Sequence, residues 1–291
     1  MRTFRLLLAS VRDFGVLGTL DQLPLALLSP LTTWQLRRRK LRQLSQDGFD
    51  AEHGTDTAQI LLGGELGPAV SPGGHVVSHY ETTSSAAIRM PLDSLGIDCS
   101  EFVFIDLGCG KGKPLMVAAS YPFRRLIGVD ISLRCIAIAQ ENISRFGPER
   151  IDSSRIELLA MDVEDFAFPD SPLVIYLFNS FPAKLLQRVV SNLESSLRRA
   201  PREVVIVYVN PAAIAAIRQS PLFVRKRMGA DRMLMVTTGT PSYERAAVFV
   251  TRPTVFAASL PAEAPRHSQW PTPGPPRGDA SSGVDAGSAN A

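Results

Sequence analysis

The chain has 291 residues, 45% of them hydrophobic and 20% charged, with a formal net charge of +3. That length holds one large domain with appendages or two small ones, and the near balance of charge excludes a molecule whose whole surface is built for nucleic acid. Its three cysteines, Cys99, Cys109 and Cys135, stand in no C-x-x-C or Cys/His spacing. No metal site and no disulfide framework is expected, and a reducing, cytoplasmic setting is.

At the start, Phe4, Leu7, Leu8, Val11 and Phe14 fall at helical spacing, with Arg2, Arg5, Arg12 and Asp13 off that stripe. An amphipathic helix is expected there. The apolar run at 6–9 is too short for a signal peptide. Residues 14–36 are apolar, but Asp21, Pro24 and Pro30 interrupt them, and a membrane span wants about 20 uninterrupted apolar residues. Then comes Arg37-Arg38-Arg39-Lys40 among Leu36, Leu41 and Leu44. Three readings of this basic helical extension, residues 1–46, stay open. It is a solvated basic face packed on the rest of the chain, a peripheral contact with an anionic membrane surface, or a contact with an acidic partner such as nucleic acid.

Residues 47–91 read as a glycine-rich linker and covering segment, mostly loop with short helical pieces. His53, His75 and His79 match no ligand spacing, so loop histidines are expected. The stretch His79-Tyr80-Glu81-Thr82-Thr83-Ser84 precedes a helix over 86–95, with Ser and Thr placed to cap it.

A domain over 92–256 opens on the most informative stretch, FVFIDLGCGKGKPLMVAAS at 102–120. It predicts a buried strand, a glycine turn and an Ala-rich helix with Pro114 in its first turn. Glycines let backbone pass close to a ligand, and such a turn at the carboxyl end of a strand is where open α/β sheets bind nucleotides. Neither common nucleotide signature fits. Lys113 stands where a dinucleotide motif wants its third glycine, and Pro114 where a phosphate loop wants Ser or Thr. Asp106, ahead of the glycines, suits the cationic amino group of an amino-acid-bearing cofactor instead.

IDLGCGKG resembles the first motif of the class I S-adenosylmethionine-dependent methyltransferases, an acidic residue followed by G-x-G-x-G. The resemblance implies a Rossmann-like α/β domain with a seven-stranded, mainly parallel sheet, and S-adenosyl-L-methionine as cofactor. It implies cofactor contacts at Asp106, Gly108, Cys109, Gly110 and Gly112. A narrower likeness, to bacterial methyltransferase-like proteins of undefined substrate, rests on FDAEHGTDT at 49–57 and YETT at 80–83. Because the segment before the first strand folds over the cofactor in many of these enzymes, Thr82 becomes a candidate cofactor contact and Tyr80 a candidate catalytic residue. Helix capping and packing are the other reading of both.

Further along, a strand over 125–129 ends in Asp130, twenty positions beyond Gly110, the spacing that returns a carboxylate to a bound ribose. Ile131, beside Asp130, is a further candidate cofactor contact, and with Ser132 it opens the next helix. A strand over 155–160 leads to Asp162 and Val163, which the resemblance places at the adenine, with helix capping the alternative for Asp162. A strand over 173–178 ends in Asn179-Ser180-Phe181-Pro182, a departure from the Asn/Asp-Pro-Pro-aromatic motif of nitrogen methylases. Asn179 is the candidate for orienting the acceptor, and no general base is singled out.

Residues 182–199 carry core leucines and valines at helical spacing, and strands follow over 203–209, 223–228, 232–237 and 246–251. Arg225, Lys226 and Arg227 are expected on a solvated edge strand, with a contact to an acidic substrate as the other reading. The tail at 257–291, dominated by Pro, Gly, Ser and Ala, is expected to be disordered. The function expected is methyl transfer by in-line displacement to an unidentified acceptor, by a cytoplasmic protein that makes a membrane contact if the second reading of residues 1–46 holds. The alternative is a non-catalytic binding or regulatory module on the cofactor fold.

Overall fold

The computed structural model describes residues 47–66, 79–147, 149–178, 180–226, 246–253 and 255. The expectations for the basic extension, for His75, for Asn179, for a strand over 232–237 and for the tail lie outside those residues. Among the described residues no helix is long and apolar enough to cross a membrane, and no cluster of His, Cys, Asp or Glu could hold a metal ion.

Two short strands, β1 (Leu61–Leu62) and β2 (His79–Tyr80), pair antiparallel ahead of the main sheet. That sheet has seven strands, β3 (Val103–Leu107), β4 (Arg125–Asp130), β5 (Ile156–Ala160), β6 (Leu173–Phe178), β7 (Val204–Val209), β8 (Phe223–Lys226) and β9 (Ala246–Thr251). Their spatial order is β5-β4-β3-β6-β7-β9-β8. The first five in that order are parallel, and β9 runs antiparallel between β7 and β8. This is the expected Rossmann-like, mainly parallel sheet.

Every residue of β3 is buried, as a central strand covered on both faces requires. Alternation then sorts its side chains. Val103, Ile105 and Leu107 enter one core, Phe104 the other. The first core lies under α5 (Ala183–Arg199) and α6 (Ala215–Arg218), which bury Leu185, Leu186, Val189, Leu193 and Ile217 against it. The second lies under α2 (Ser85–Asp93), α3 (Lys113–Ala118) and α4 (Leu133–Phe146). Helices on both faces make three layers. Ser84 caps α2 and Ser132 caps α4, each side chain accepting from a backbone N–H three residues on.

β8 is the edge strand expected for the basic run. Its Lys226 ammonium donates to the Leu95 carbonyl, which stitches the edge to the end of α2. Ahead of the sheet, helix α1 (Phe49–His53) ends at Gly54, whose φ of 67° closes the turn. The linker expected over this stretch is therefore locally ordered.

Candidate functional site

Because β3, β4 and β5 are parallel neighbours, their carboxyl ends form one edge, and that edge carries Asp106, Asp130 and, just beyond β5, Asp162. Asp106 is 1% exposed, and its Oδ2 has no hydrogen-bond partner among the described residues. Burial, with the charge of Asp130 adding to it, holds its carboxyl well above the usual carboxylate range. Asp130 is better served. Its Oδ2 accepts from the Gly110 N–H and its Oδ1 from the Ser132 N–H, each at 2.8 Å. Burial still raises its pKa, against the lowering effect of those donors. Asp162 accepts from the Glu164 N–H at 3.0 Å and so caps the short turn over Val163–Asp165. Val163 is buried in the core under α5, and Ile131 packs with Leu61, Leu66 and Cys135.

The glycine turn is a junction of three elements. A Cβ on Gly108 would lie 2.6 Å from the Ser180 Cβ, one on Gly110 2.3 Å from Tyr80 Cε2, and one on Gly112 3.1 Å from the Ala139 Cβ. The edge of the Tyr80 ring fills the space that a side chain on Gly110 would need. Cys109 turns inward. Its N–H donates to the Val129 carbonyl at 3.0 Å, and its Sγ occupies the space that a Cβ on Gly128 would need, 2.9 Å away. Burial pushes its thiol well up, so it is a packing residue and no nucleophile.

Tyr80 is held as well as holding. Its hydroxyl donates to the Thr57 carbonyl at 2.8 Å, and burial raises its pKa well above the ordinary phenol value. That phenol is committed to the chain, and the ring edge is what reaches the turn. Thr82 is buried, and its hydroxyl donates to the Thr83 carbonyl at 3.3 Å.

The FDAEHGTDT segment acquires a physical explanation. The Asp50 carboxylate accepts from the Thr55 hydroxyl at 2.7 Å, from the Thr57 N–H at 2.9 Å and hydroxyl at 2.8 Å, and from the Ala58 N–H at 2.7 Å. Burial opposes its ionisation, but those bonds together hold it below the usual range. His53 packs between Phe49, edge-on with centroids 4.6 Å apart, and Phe146, tilted at 4.3 Å, and its Nδ1 faces an Arg150 guanidinium nitrogen at 3.1 Å. Since arginine only donates, Nδ1 accepts and the ring is neutral.

Burial lowers the His53 pKa below 6.5, with Arg150 and Arg89 adding to it and Glu52 and Asp50 opposing. A depressed folded pKa means the unfolded segment binds more protons, so the His53 contribution to this docking is full above about pH 6.5 and is lost as pH falls through the folded value. Amide exchange across 49–57, corrected for intrinsic rates, is expected to be faster at about pH 5.5 than at about 7.5. His53→Phe should remove the difference; equal protection of the wild-type segment at both pH values would refute it.

Residues 104–200 match the profile of a family described as a methyltransferase domain. Over that stretch, about a third of the chain, the sequence is similar to a methyltransferase domain. Solved structures similar to this chain include magnesium protoporphyrin IX methyltransferase from Synechocystis PCC 6803 with bound S-adenosylmethionine, 19% identical over 58% of this chain and 77% of that one, with a TM-score of 0.40. An RNA methyltransferase from Salinibacter ruber in complex with S-adenosyl-L-homocysteine is 17% identical over 64% of this chain and 97% of that one, at a TM-score of 0.38. Comparison with the curated proteins gives no match.

The domain also depends on residues that motif reading passed over. Lys111 and Lys113, between and after the glycines, are 0% and 2% exposed. They pair with Asp56 and Asp47 in the segment ahead of the sheet. The signal was present, since two lysines inside a turn bound for the interior require two acids. Nothing in their spacing said which two.

Proposed function

We propose that this domain binds S-adenosylmethionine at the β3, β4 and β5 edge and transfers its methyl group to an acceptor held beside the β6 end. The observation that carries this reading is the Asp106 Oδ2, a buried acceptor with no partner in the described chain. Such an atom fits a ligand that brings its own cationic donor, and the three carboxylates around the glycine turn fit the rest of the same molecule. The group, when bound, supplies a methyl on a sulfonium sulfur, an electrophile that needs no metal.

Asp106 receives the amino group of the cofactor's amino-acid end. Asp130, with its two oxygens already oriented by the Gly110 and Ser132 N–H groups, has lone pairs left for the ribose hydroxyls. Ile131, Asp162 and Val163 border the adenine. The backbone of Gly108, Cys109, Gly110 and Gly112 shapes the floor, with Tyr80 and Thr82 closing it from the β2 side. Asn179 and the neighbouring Phe181 orient the acceptor. In-line displacement asks the protein mainly for alignment and exclusion of water, and a rigid turn backed by two packed cores supplies both.

Calorimetric titration with S-adenosylmethionine, S-adenosylhomocysteine, NAD and NADP tests this directly. Saturable binding of the two adenosyl-sulfur compounds alone is the expected result, followed by methyl-label transfer to a component of cell extract. Binding of NAD in their place would overturn the cofactor assignment. Binding without transfer to any component would favour the non-catalytic module, to which the Asn-Ser-Phe-Pro departure at the β6 end also belongs.

A further inference from the structure

We propose that Asp56 and Asp47 are positioning residues of the cofactor site, which hold the glycine turn in its binding conformation through ion pairs with the buried ammonium groups of Lys111 and Lys113. The cofactor half of this statement rests on the reading above.

Lys111 lies between Gly110, whose N–H is fixed by Asp130, and Gly112. Its ammonium meets both oxygens of Asp56 at 3.0 Å and sits 5.3 Å from the centroid of the Tyr80 ring. Asn142 on α4 locks the two partners together. Its side-chain amide donates to the Asp56 and Lys111 carbonyls, each at 3.0 Å, and its Oδ1 accepts from the Asp56 N–H at 2.7 Å. The next residue, Thr57, supplies the carbonyl that holds the Tyr80 hydroxyl against the turn.

Lys113 repeats the device on the far side of Gly112. Its ammonium pairs with the Asp47 carboxylate and lies 4.9 Å from the Phe49 ring centroid, while Asp47 also accepts from the Ser85 N–H at 3.0 Å and hydroxyl at 3.1 Å. The segment ahead of the sheet therefore grips the turn at two alternate residues. An ammonium with no exposure does not stay inside without its counter-charge. Without Asp56, Lys111 must reach for water, and the backbone between Gly110 and Gly112 moves with it. That movement takes the Gly110 N–H off Asp130, the carboxylate assigned to the ribose.

The test uses the full chain as Asp56→Asn, Lys111→Met, the double variant, and Val205→Ala as a control that loosens the β7 core. Amide exchange over residues 107–114 is read without ligand, and affinity for S-adenosylhomocysteine by calorimetry. Asp56→Asn is expected to speed exchange at the turn and weaken binding, each by at least about tenfold, while the control loses stability with both readouts unchanged. The double variant should lie closer to wild type than Asp56→Asn does, because no buried cation is left unpaired. If Asp56→Asn changes turn exchange no more than Val205→Ala does, the proposal fails. A wild type that does not bind the ligand overturns the cofactor reading instead, and the exchange data still decide whether the acids hold the turn.

Discussion

Asp106→Asn is expected to raise the melting temperature of the ligand-free protein and to lower its affinity for S-adenosylhomocysteine. The two effects have one cause. In the ligand-free fold Asp106 is buried beside Asp130 with an unpartnered Oδ2, and both burial and that neighbour raise its pKa. A raised folded pKa means that the native state holds a proton more tightly than the unfolded chain does. The favourable contribution is then full below about pH 3.8 and is lost as pH rises toward and through the folded value, so at neutral pH the buried carboxyl opposes folding. Removing this unpartnered buried carboxyl should return about 1–3 kcal/mol, and each kcal/mol moves the midpoint by about 2–4 °C in a domain of this size. Without the charge the cofactor's amino group loses its charge-assisted partner, and affinity should fall about tenfold or more. Scanning calorimetry with and without ligand reads both. A lower melting temperature together with unchanged affinity would mean that Asp106 is a structural residue only.

Gly110→Ala is expected to destabilise the fold by about 3 kcal/mol or more, from overpacking and from the strain of a left-handed alanine. The backbone there has φ of 51°, and the new Cβ would stand 2.3 Å from one ring atom of Tyr80 and 2.5 Å from another. The ring has little freedom to yield, because its hydroxyl is bonded to the Thr57 carbonyl and the Lys111 ammonium lies over its face. Adding Tyr80→Ala to Gly110→Ala should recover the overpacking part and leave the strain. Denaturant titration of both single variants and the double gives the coupling between the two positions. Additive effects would place the ring elsewhere.

Asp106, Asp130, Gly108, Gly110 and the strands that carry them were legible in the sequence because they form a local pattern. A buried strand, a carboxylate and alternating glycines follow one another within a few residues, and Asp130 returns one strand-helix-strand unit later. Periodicity placed α4 and α5 for the same reason, since one face of each carries the apolar residues that the sheet covers. The sequence by itself thus determined the sheet's character and put Asp106, Asp130 and the glycines at one edge of it, the edge on which the proposed cofactor site rests.

Only the tertiary structure decided what stands against each glycine, and that Tyr80 is a wedge fixed by its own hydroxyl. The tertiary fold likewise chose Asp56 and Asp47 as the partners of two interior lysines 55 and 66 residues away. A one-dimensional pattern reports which side chains a strand or helix turns inward, because that follows from backbone repeat. It does not report which inward side chains from distant segments meet, because that depends on how the segments dock, and there charge pairing and close packing select one partner among many chemically equivalent ones.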